Sequence, residues 1–162
     1  MSLRIVVLSG PISSGKTDLA EMLRSRYGAH IIKTRDLITH LLPRVKQDRG
    51  ALQRAGEQLD RADKGAWVKN ALYSYIDKID CTPTAGGFYV IDSVRISGQV
   101  AAIRDGYGTA VHHIHLKASD AVLEQRYQNR GTRTQEFATY SEVRKSKTER
   151  HVPLCWPIWL TP

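Results

Sequence analysis

Cysteine is scarce in this sequence of 162 residues, which contains only Cys81 and Cys155 and has no CxxC pair or Cys/His cluster. Two cysteines cannot build a disulfide framework, and without such a cluster no structural zinc site is expected. Long apolar runs are also missing: none reaches the roughly 18 residues that cross a bilayer, and the N-terminal run is too short for a signal peptide. We therefore expect a cytoplasmic protein with no membrane partner.

Acidic residues are outnumbered by basic ones, at 16 Asp+Glu against 24 Lys+Arg, which gives a net charge of +8. This surplus favours anionic partners, namely phosphorylated metabolites, nucleotides or nucleic acid; a basic surface that aids solubility is the alternative. With 41% hydrophobic and 25% charged residues, the composition is typical of a globular protein. Residues 1–162 are predicted to form a single domain.

Strand-like and helix-like segments alternate along the chain. Apolar, β-branched runs predict strands over residues 3–8, 29–33, 88–92 and 110–116, and helical spacing predicts helices over 16–27, 48–61, 66–79, 99–104, 118–129 and 140–151, with a further helix that begins at a capping Thr34. This alternation predicts a three-layer α/β/α sandwich with a mostly parallel sheet. Ligands of such sheets bind beyond the carboxyl ends of the strands, so we expect the chemistry there.

The most specific motif follows the first predicted strand. Residues 10–17, Gly-Pro-Ile-Ser-Ser-Gly-Lys-Thr, fit GxxxxGK[ST] between a strand and a helix, which makes a chance turn the weaker interpretation. Backbone N–H groups of such a loop wrap a polyphosphate, its lysine bridges the β- and γ-phosphates, and its threonine coordinates Mg²⁺. We therefore predict that the loop binds a nucleoside triphosphate, with Thr17 as a Mg²⁺ ligand and Lys16 as a catalytic residue; the motif does not say what receives the phosphate. The predicted ATP-binding residues of the loop are Gly10, Ile12, Ser13, Ser14, Gly15, Lys16 and Thr17.

An acidic residue ends the strand predicted over residues 88–92. From there the Asp92 carboxylate can reach the Mg²⁺ shell beside Thr17 or take a proton from an attacking hydroxyl; capping of the following turn is the alternative. Arg95 follows three residues later and is suited to hold an anionic acceptor, unless it is an ordinary surface arginine. Asp92 is therefore a candidate catalytic and metal-binding residue, and Arg95 a candidate acceptor contact.

Arginines cluster near the end of the helix predicted over residues 118–129. Arg126 and Arg130 are four residues apart, on one helix face, and Arg133 follows in the polar segment 131–139. A helix end that leads into a mobile basic loop is typical of a lid that brings guanidinium groups onto transferring phosphoryl oxygens. We predict a short lid over 131–139, with Arg126 and Arg130 as catalytic and ATP-binding residues; a solvated basic face is the alternative.

Three histidines, His112, His113 and His115, lie in one predicted strand. Strand alternation places His113 and His115 on the same face, as in a metal-binding pair. No carboxylate or cysteine stands nearby in the sequence to complete such a site, so a structural role is predicted.

Over about residues 3–150 these motifs resemble the P-loop nucleoside monophosphate kinases of the adenylate-kinase and deoxynucleotide-kinase type. Residues 32–37 (Ile-Lys-Thr-Arg-Asp-Leu) are similar to the segment with which that family grips the acceptor's monophosphate, residues 49–56 to its acceptor-binding helix, residues 91–95 to its Asp-x-x-Arg segment, and residues 115–116 with 124–130 to its lid strand and helix. The resemblance implies that the acceptor contacts are Thr34, Arg35, Arg49 (or Arg54), Gln53 and Arg95.

The resemblance also implies a P-loop NTPase fold of the nucleotide kinase-like class. It implies as well a Mg²⁺-ATP-dependent phosphotransferase that acts on a (deoxy)nucleoside monophosphate. One alternative is a kinase for another acceptor: a nucleoside, a small metabolite, a coenzyme precursor or a hydroxymethylated base in DNA, the last consistent with a basic surface that contacts DNA. A second alternative is a nucleotide-binding regulatory or assembly module with slow ATPase activity.

The C-terminal segment 152–162 departs from the family pattern. It carries no charge, holds two of the three tryptophans, and contains no recognisable final strand. We expect an atypical apolar tail, which is either the shifted or truncated end of a longer chain or a segment that docks on a second copy, a partner or a fused domain.

Overall fold

The computed structural model describes residues 2–79, 86–129 and 139–145, with only the backbone described at Arg49, Ile79 and Val143. Its strands are β1 (Arg4–Ser9), β2 (His30–Lys33), β3 (Phe88–Asp92) and β4 (Val111–His115). Its α-helices are α1 (Lys16–Tyr27), α2 (Thr34–Leu41), α3 (Arg49–Asp63), α4 (Trp67–Ile79), α5 (Ser97–Tyr107), α6 (Asp120–Gln128) and α7 (Tyr140–Lys145).

The four strands form a parallel sheet in the order β2-β3-β1-β4. In the register of this sheet, Leu8 of β1 lies beside Asp92 of β3 and beside Ile114 of β4, and Lys33 of β2 also lies beside Asp92. Because parallel strands end at the same edge, the segments that follow these residues are neighbours in space. This edge carries the motifs that stand out in the sequence.

Helices cover both faces of the sheet. On one face, Ile5 and Val7 of β1 pack with buried residues of α2, α3, α4 and α5. On the other face, Val6 and Leu8 pack with Ala20 of α1. Successive side chains of a strand point to opposite faces, so β1, apolar on both faces, is buried between two helical layers. The predicted α/β/α sandwich with a parallel sheet is confirmed.

Most predicted element bounds agree with the structure to within two residues, and those of α1 and β3 are the same. The helix predicted over 99–104 is longer, Ser97–Tyr107, because burial of Gln99, Val100 and Ile103 overrides the low helix propensity of its serine and glycines. Tyr27, which its spacing places on the apolar side of α1, is 66% exposed because the helix ends at this residue.

Some predictions concern segments that lie outside the described residues: Arg130, the lid over 131–139 apart from Thr139, and the tail 152–162. No helix in the described part of the chain combines the length and hydropathy that a bilayer crossing requires.

Candidate active site

The segment between β1 and α1 is a loop closed around the ammonium group of Lys16. Lys16 Nζ donates hydrogen bonds to the carbonyl oxygens of Gly10, at 2.7 Å, and Pro11, at 2.8 Å. Ser13 and Gly15 have positive φ angles of 63° and 93°, a backbone type that directs successive N–H groups to one side. Gly15, which precedes α1, has no side chain that could cap the first turn of the helix. A helix start without such a cap is suited to bind an anion.

Gly10 is a position where this loop has no room for a side chain. Its φ is 134°, and an added Cβ would collide with the carbonyl oxygen of Leu116. We expect Gly10→Ala to lower the free energy of unfolding by about 3 kcal/mol, because backbone strain and overpacking add, and to abolish ATP binding.

Gly28→Ala is the matched control. Gly28 also has a positive φ, 69°, but a Cβ there would meet nothing within 4 Å. This variant should lose only about 1 kcal/mol and bind ATP normally. Denaturant unfolding and calorimetric ATP titration measure both effects; equal losses at the two glycines would contradict the expectation.

Thr17 and Asp92 meet beside the loop. The Thr17 hydroxyl donates a hydrogen bond to the Asp92 carboxylate. Burial raises the pKa of Asp92 above its ordinary value, and the positive charges of Lys16 and Lys33, together with the Thr17 hydrogen bond, partly offset that rise. A hydroxyl and a carboxylate are hard oxygen donors of the kind that Mg²⁺ prefers. The two predicted metal ligands are therefore brought together, and their chemistry fits this ion.

A shared hydroxyl joins the ends of β1 and β4. The fully buried Ser9 Oγ lies 2.7 Å from Nε2 of His113 and 2.7 Å from Nδ1 of His115. Burial, with the positive charges of Arg104 and His115, lowers the pKa of His113 to about 4, and burial also lowers the pKa of His115. One hydroxyl can donate to one neutral imidazole and accept from the other. Within the described residues the histidines join no cluster suited to a metal.

A cavity of about 310 Å³ opens beyond the carboxyl ends of β2 and β3. Thr34, Arg35 and Arg95, which follow these two strands, line it. Its positively charged side chains thus come from the sheet edge that also carries the loop at residues 10–17.

The facing wall of the cavity, from α3, α4 and α5, carries several polar side chains beside apolar ones such as Leu52. Gln53, Glu57 and Asp60 of α3 line it together with Trp67 and Gln99. The indole N–H of Trp67 donates to Asp60 Oδ1 at 2.8 Å, and Gln99 Nε2 donates to the same oxygen at 2.9 Å. Gln53 Nε2 donates to Glu57 Oε1 at 3.1 Å. The cavity therefore combines a basic end with a wall that carries carboxylates.

The structure gathers four of the five predicted acceptor residues at this cavity: Thr34, Arg35, Gln53 and Arg95. The fifth, Arg49, is the first residue of α3, and its side chain is not among those described. Arg126 is exposed on α6.

Thr34 does not cap α2, contrary to the prediction. Its hydroxyl donates to the carbonyl oxygen of Ser93 at 2.5 Å. The residue that precedes the helix is Lys33, whose N–H donates to Asp36 Oδ2 at 2.9 Å. Thr34 therefore ties the start of α2 to the segment after β3, next to the cavity.

Glu57, Asp60, Trp67 and Gln99 were not predicted from the sequence as residues of this cavity. Gln53, Glu57 and Asp60 follow one another at intervals of four and three residues, which puts them on one face of a helix. This row of polar side chains on one helix face could have indicated a polar wall of a binding site. Trp67 and Gln99 gave no such sign, because only the tertiary arrangement of α4, which contacts both α3 and α5, brings them to Asp60.

Comparison with known proteins adds the family. A family model described as chloramphenicol phosphotransferase-like protein matches residues 3–151. No curated protein matches the sequence.

A sugar kinase from Janibacter sp. HTCC2649 is similar in structure with a TM-score of 0.53 and 16% identity, over 96% of this chain and 81% of that one. At such identity the likeness concerns the fold alone. A gluconokinase from Sinorhizobium meliloti 1021 has a TM-score of 0.49 and 19% identity, over 79% of this chain and 65% of that one. The match over residues 3–151 shows more: the chain belongs to the chloramphenicol phosphotransferase-like family and is a P-loop kinase that uses ATP as phosphoryl donor.

Proposed function

We propose that this kinase is a Mg²⁺-dependent phosphotransferase whose acceptor is a (deoxy)nucleoside monophosphate. The observation that carries the proposal is the placement of Arg35 and Arg95 in the cavity beside the edge that bears the ATP loop. Guanidinium groups bind phosphate through paired, charge-assisted hydrogen bonds. The cavity of about 310 Å³ lies at the small end of ligand sites, which span about 300–1,000 Å³, and this suits a mononucleotide.

In the proposed reaction an oxygen of the acceptor's phosphate attacks the γ-phosphorus of ATP. A new P–O bond forms, the bond from the γ-phosphorus to the β–γ bridging oxygen breaks, and ADP leaves. The attacking oxygen is already anionic, so no base has to remove a proton. Lys16 would neutralise charge on the transferring group, with Arg126 and Arg130 proposed to assist from the lid. Thr17 and Asp92 would hold Mg²⁺, which when bound offsets phosphate charge.

A hydroxyl acceptor is the second candidate. The description of the matching family names chloramphenicol, and one structural neighbour is a sugar kinase. Neither chloramphenicol nor a sugar is a nucleotide. Glu57 and Asp60 in the cavity wall favour this candidate, because a carboxylate can take the proton that a hydroxyl loses on attack.

The two candidates differ in their products. Phosphorus NMR of the protein incubated with Mg-ATP and an acceptor panel distinguishes a phosphoanhydride, formed from a nucleoside monophosphate, from a phosphomonoester, formed from a hydroxyl. Formation of nucleoside diphosphate supports the first proposal, and ADP release that requires a hydroxyl acceptor refutes it.

Contact with DNA and docking through residues 152–162 stay predictions. Steep salt dependence of duplex binding would support the first. Loss of self-association on deletion of the segment would support the second.

Arg35→Ala and Arg95→Ala are each expected to raise KM for the nucleoside monophosphate at least about tenfold, because a charge-assisted contact to its phosphate is lost. KM for ATP should stay within about twofold, since neither residue belongs to the loop at 10–17. Steady-state kinetics with both substrates varied measure these constants. Arg26→Ala, an exposed change near the end of α1, serves as the control. A larger effect on KM for ATP than for the acceptor would contradict the assignment.

A further inference from the structure

The buried amide of Gln99 has a fixed orientation in the cavity wall. Gln99 is 2% exposed, its Oε1 accepts from the backbone N–H of Arg95 at 2.9 Å, and its Nε2 donates to Asp60 Oδ1 at 2.9 Å. A backbone N–H can only donate and a carboxylate can only accept. Turning the amide over would break both bonds, so its NH₂ group points at Asp60.

The Asp60 carboxylate is held in place by two donors on the same oxygen. Besides Gln99, the indole N–H of Trp67, which is 5% exposed, donates to Oδ1 at 2.8 Å. Among the described residues no group is hydrogen-bonded to Oδ2. Asp60 lines the cavity, and its second oxygen is therefore an acceptor available to a ligand there.

The side-chain amide of Gln53 also has a fixed orientation. Its Nε2 donates to Glu57 Oε1 at 3.1 Å, and because a carboxylate only accepts, the NH₂ group must face Glu57. The carbonyl oxygen of Gln53 is left without a partner among the described residues. This wall of the cavity thus offers oxygen acceptors, whereas its other end offers the guanidinium groups of Arg35 and Arg95.

We propose that Asp60, oriented by Gln99 and Trp67, selects nucleoside monophosphates whose base carries an exocyclic amino group. This inference rests on the proposed function, because it assumes that the arginines hold the acceptor's phosphate. The amino group of cytosine or adenine donates a hydrogen bond to the carboxylate. Uracil and hypoxanthine have a carbonyl oxygen at the same ring position. This oxygen would face the Asp60 carboxylate, and since both groups only accept hydrogen bonds, these bases bind less well.

Isosteric substrate pairs test the selection in the native protein. The kcat/KM values should be at least about tenfold higher for CMP than for UMP, and for AMP than for IMP. Within each pair the exocyclic amino group becomes a carbonyl and the neighbouring ring nitrogen gains a proton, so the exocyclic group that faces Asp60 changes from donor to acceptor. This measurement uses no variant and so does not depend on the folding of one.

Asp60→Asn provides the sharper test, because the network decides how the new amide lies. Trp67 and Gln99 both donate to the Oδ1 position, so the asparagine carbonyl oxygen must occupy it and the NH₂ group must occupy the Oδ2 position. The group at the Oδ2 position thus changes from a hydrogen-bond acceptor to a donor. The CMP/UMP and AMP/IMP ratios of kcat/KM should both shift at least about tenfold toward UMP and IMP. Asp63→Asn is the matched control on the same helix: Asp63 accepts from the N–H of Gly65 and does not line the cavity.

The outcomes separate the two proposals. Equal kcat/KM within each native pair, or unchanged ratios in an Asp60→Asn variant that keeps its unfolding temperature, would overturn the selectivity and leave the proposed function standing. Transfer to hydroxyl acceptors with no nucleoside monophosphate phosphorylated would overturn both.

Discussion

Lys16→Ala is expected to lower kcat for phosphotransfer about a thousandfold, because the variant loses the cation proposed to stabilise charge on the transferring phosphoryl group. The same ammonium group bonds the carbonyl oxygens of Gly10 and Pro11, so ATP affinity should fall as well. Loss of these two partly exposed hydrogen bonds should lower the free energy of unfolding by only about 1 kcal/mol. Turnover assays, ATP calorimetry and circular dichroism measure the three effects.

Two further variants serve as controls for this experiment. Lys46→Ala removes an exposed lysine remote in sequence from the loop and should leave kcat unchanged. Lys16→Arg keeps the charge but replaces a compact ammonium by a planar fork, so it should restore little of the activity. Turnover of Lys16→Ala within about tenfold of the native value would refute the role assigned to the loop.

Asp92→Asn is expected to reduce kcat at least about a hundredfold and to leave the unfolding temperature at pH 7 equal or higher. The activity falls because the carboxylate proposed to hold Mg²⁺ is gone. In the protein without Mg²⁺, burial raises the pKa of Asp92 above its ordinary value.

The effect on stability follows from the direction of that shift. Because its pKa is raised in the folded state, Asp92 binds its proton more tightly in the folded protein than in the unfolded protein. The free energy of unfolding therefore falls as the pH rises from the pKa of the unfolded state through the pKa of the folded state. Asparagine carries no such penalty. The advantage of the variant in unfolding temperature should therefore be largest near pH 7 and shrink toward pH 4.

Asp105→Asn is the control of opposite sign. The hydrogen bond from Lys69 and its charge lower the pKa of Asp105, so this exposed carboxylate favours folding above its ordinary pKa, and its loss should slightly lower stability at pH 7 while activity is unchanged. Thermal scans from pH 4 to pH 7 measure both variants. A lower unfolding temperature of Asp92→Asn at pH 7 would contradict the interpretation.

The loop at residues 10–17 and the sheet could be predicted because their determinants are local. The spacing Gly10, Gly15, Lys16 and Thr17 follows directly after an apolar run, and the short apolar strands alternate with helical segments. The position of Asp92 beside this loop could be predicted for the same reason, since the end of a buried strand places it at the edge that carries the loop.

The cavity that we propose for the acceptor could be predicted only in part. Thr34, Arg35 and Arg95 follow strands, so topology sends them to the edge that carries the loop. Asp60 and Gln99, by contrast, are 39 residues apart in sequence and meet because the connection between α3 and α4 lies against the start of α5. No periodicity of either helix encodes that meeting.

The central position of β1 in the sheet has an evolutionary consequence. The loop proposed to bind ATP follows this strand, whereas the wall of the proposed acceptor cavity belongs to helices α3, α4 and α5. On the proposed function, changes in that wall would alter which compound is phosphorylated and leave the binding of ATP unchanged. A lineage built on this plan can diversify its substrates through a handful of helical side chains.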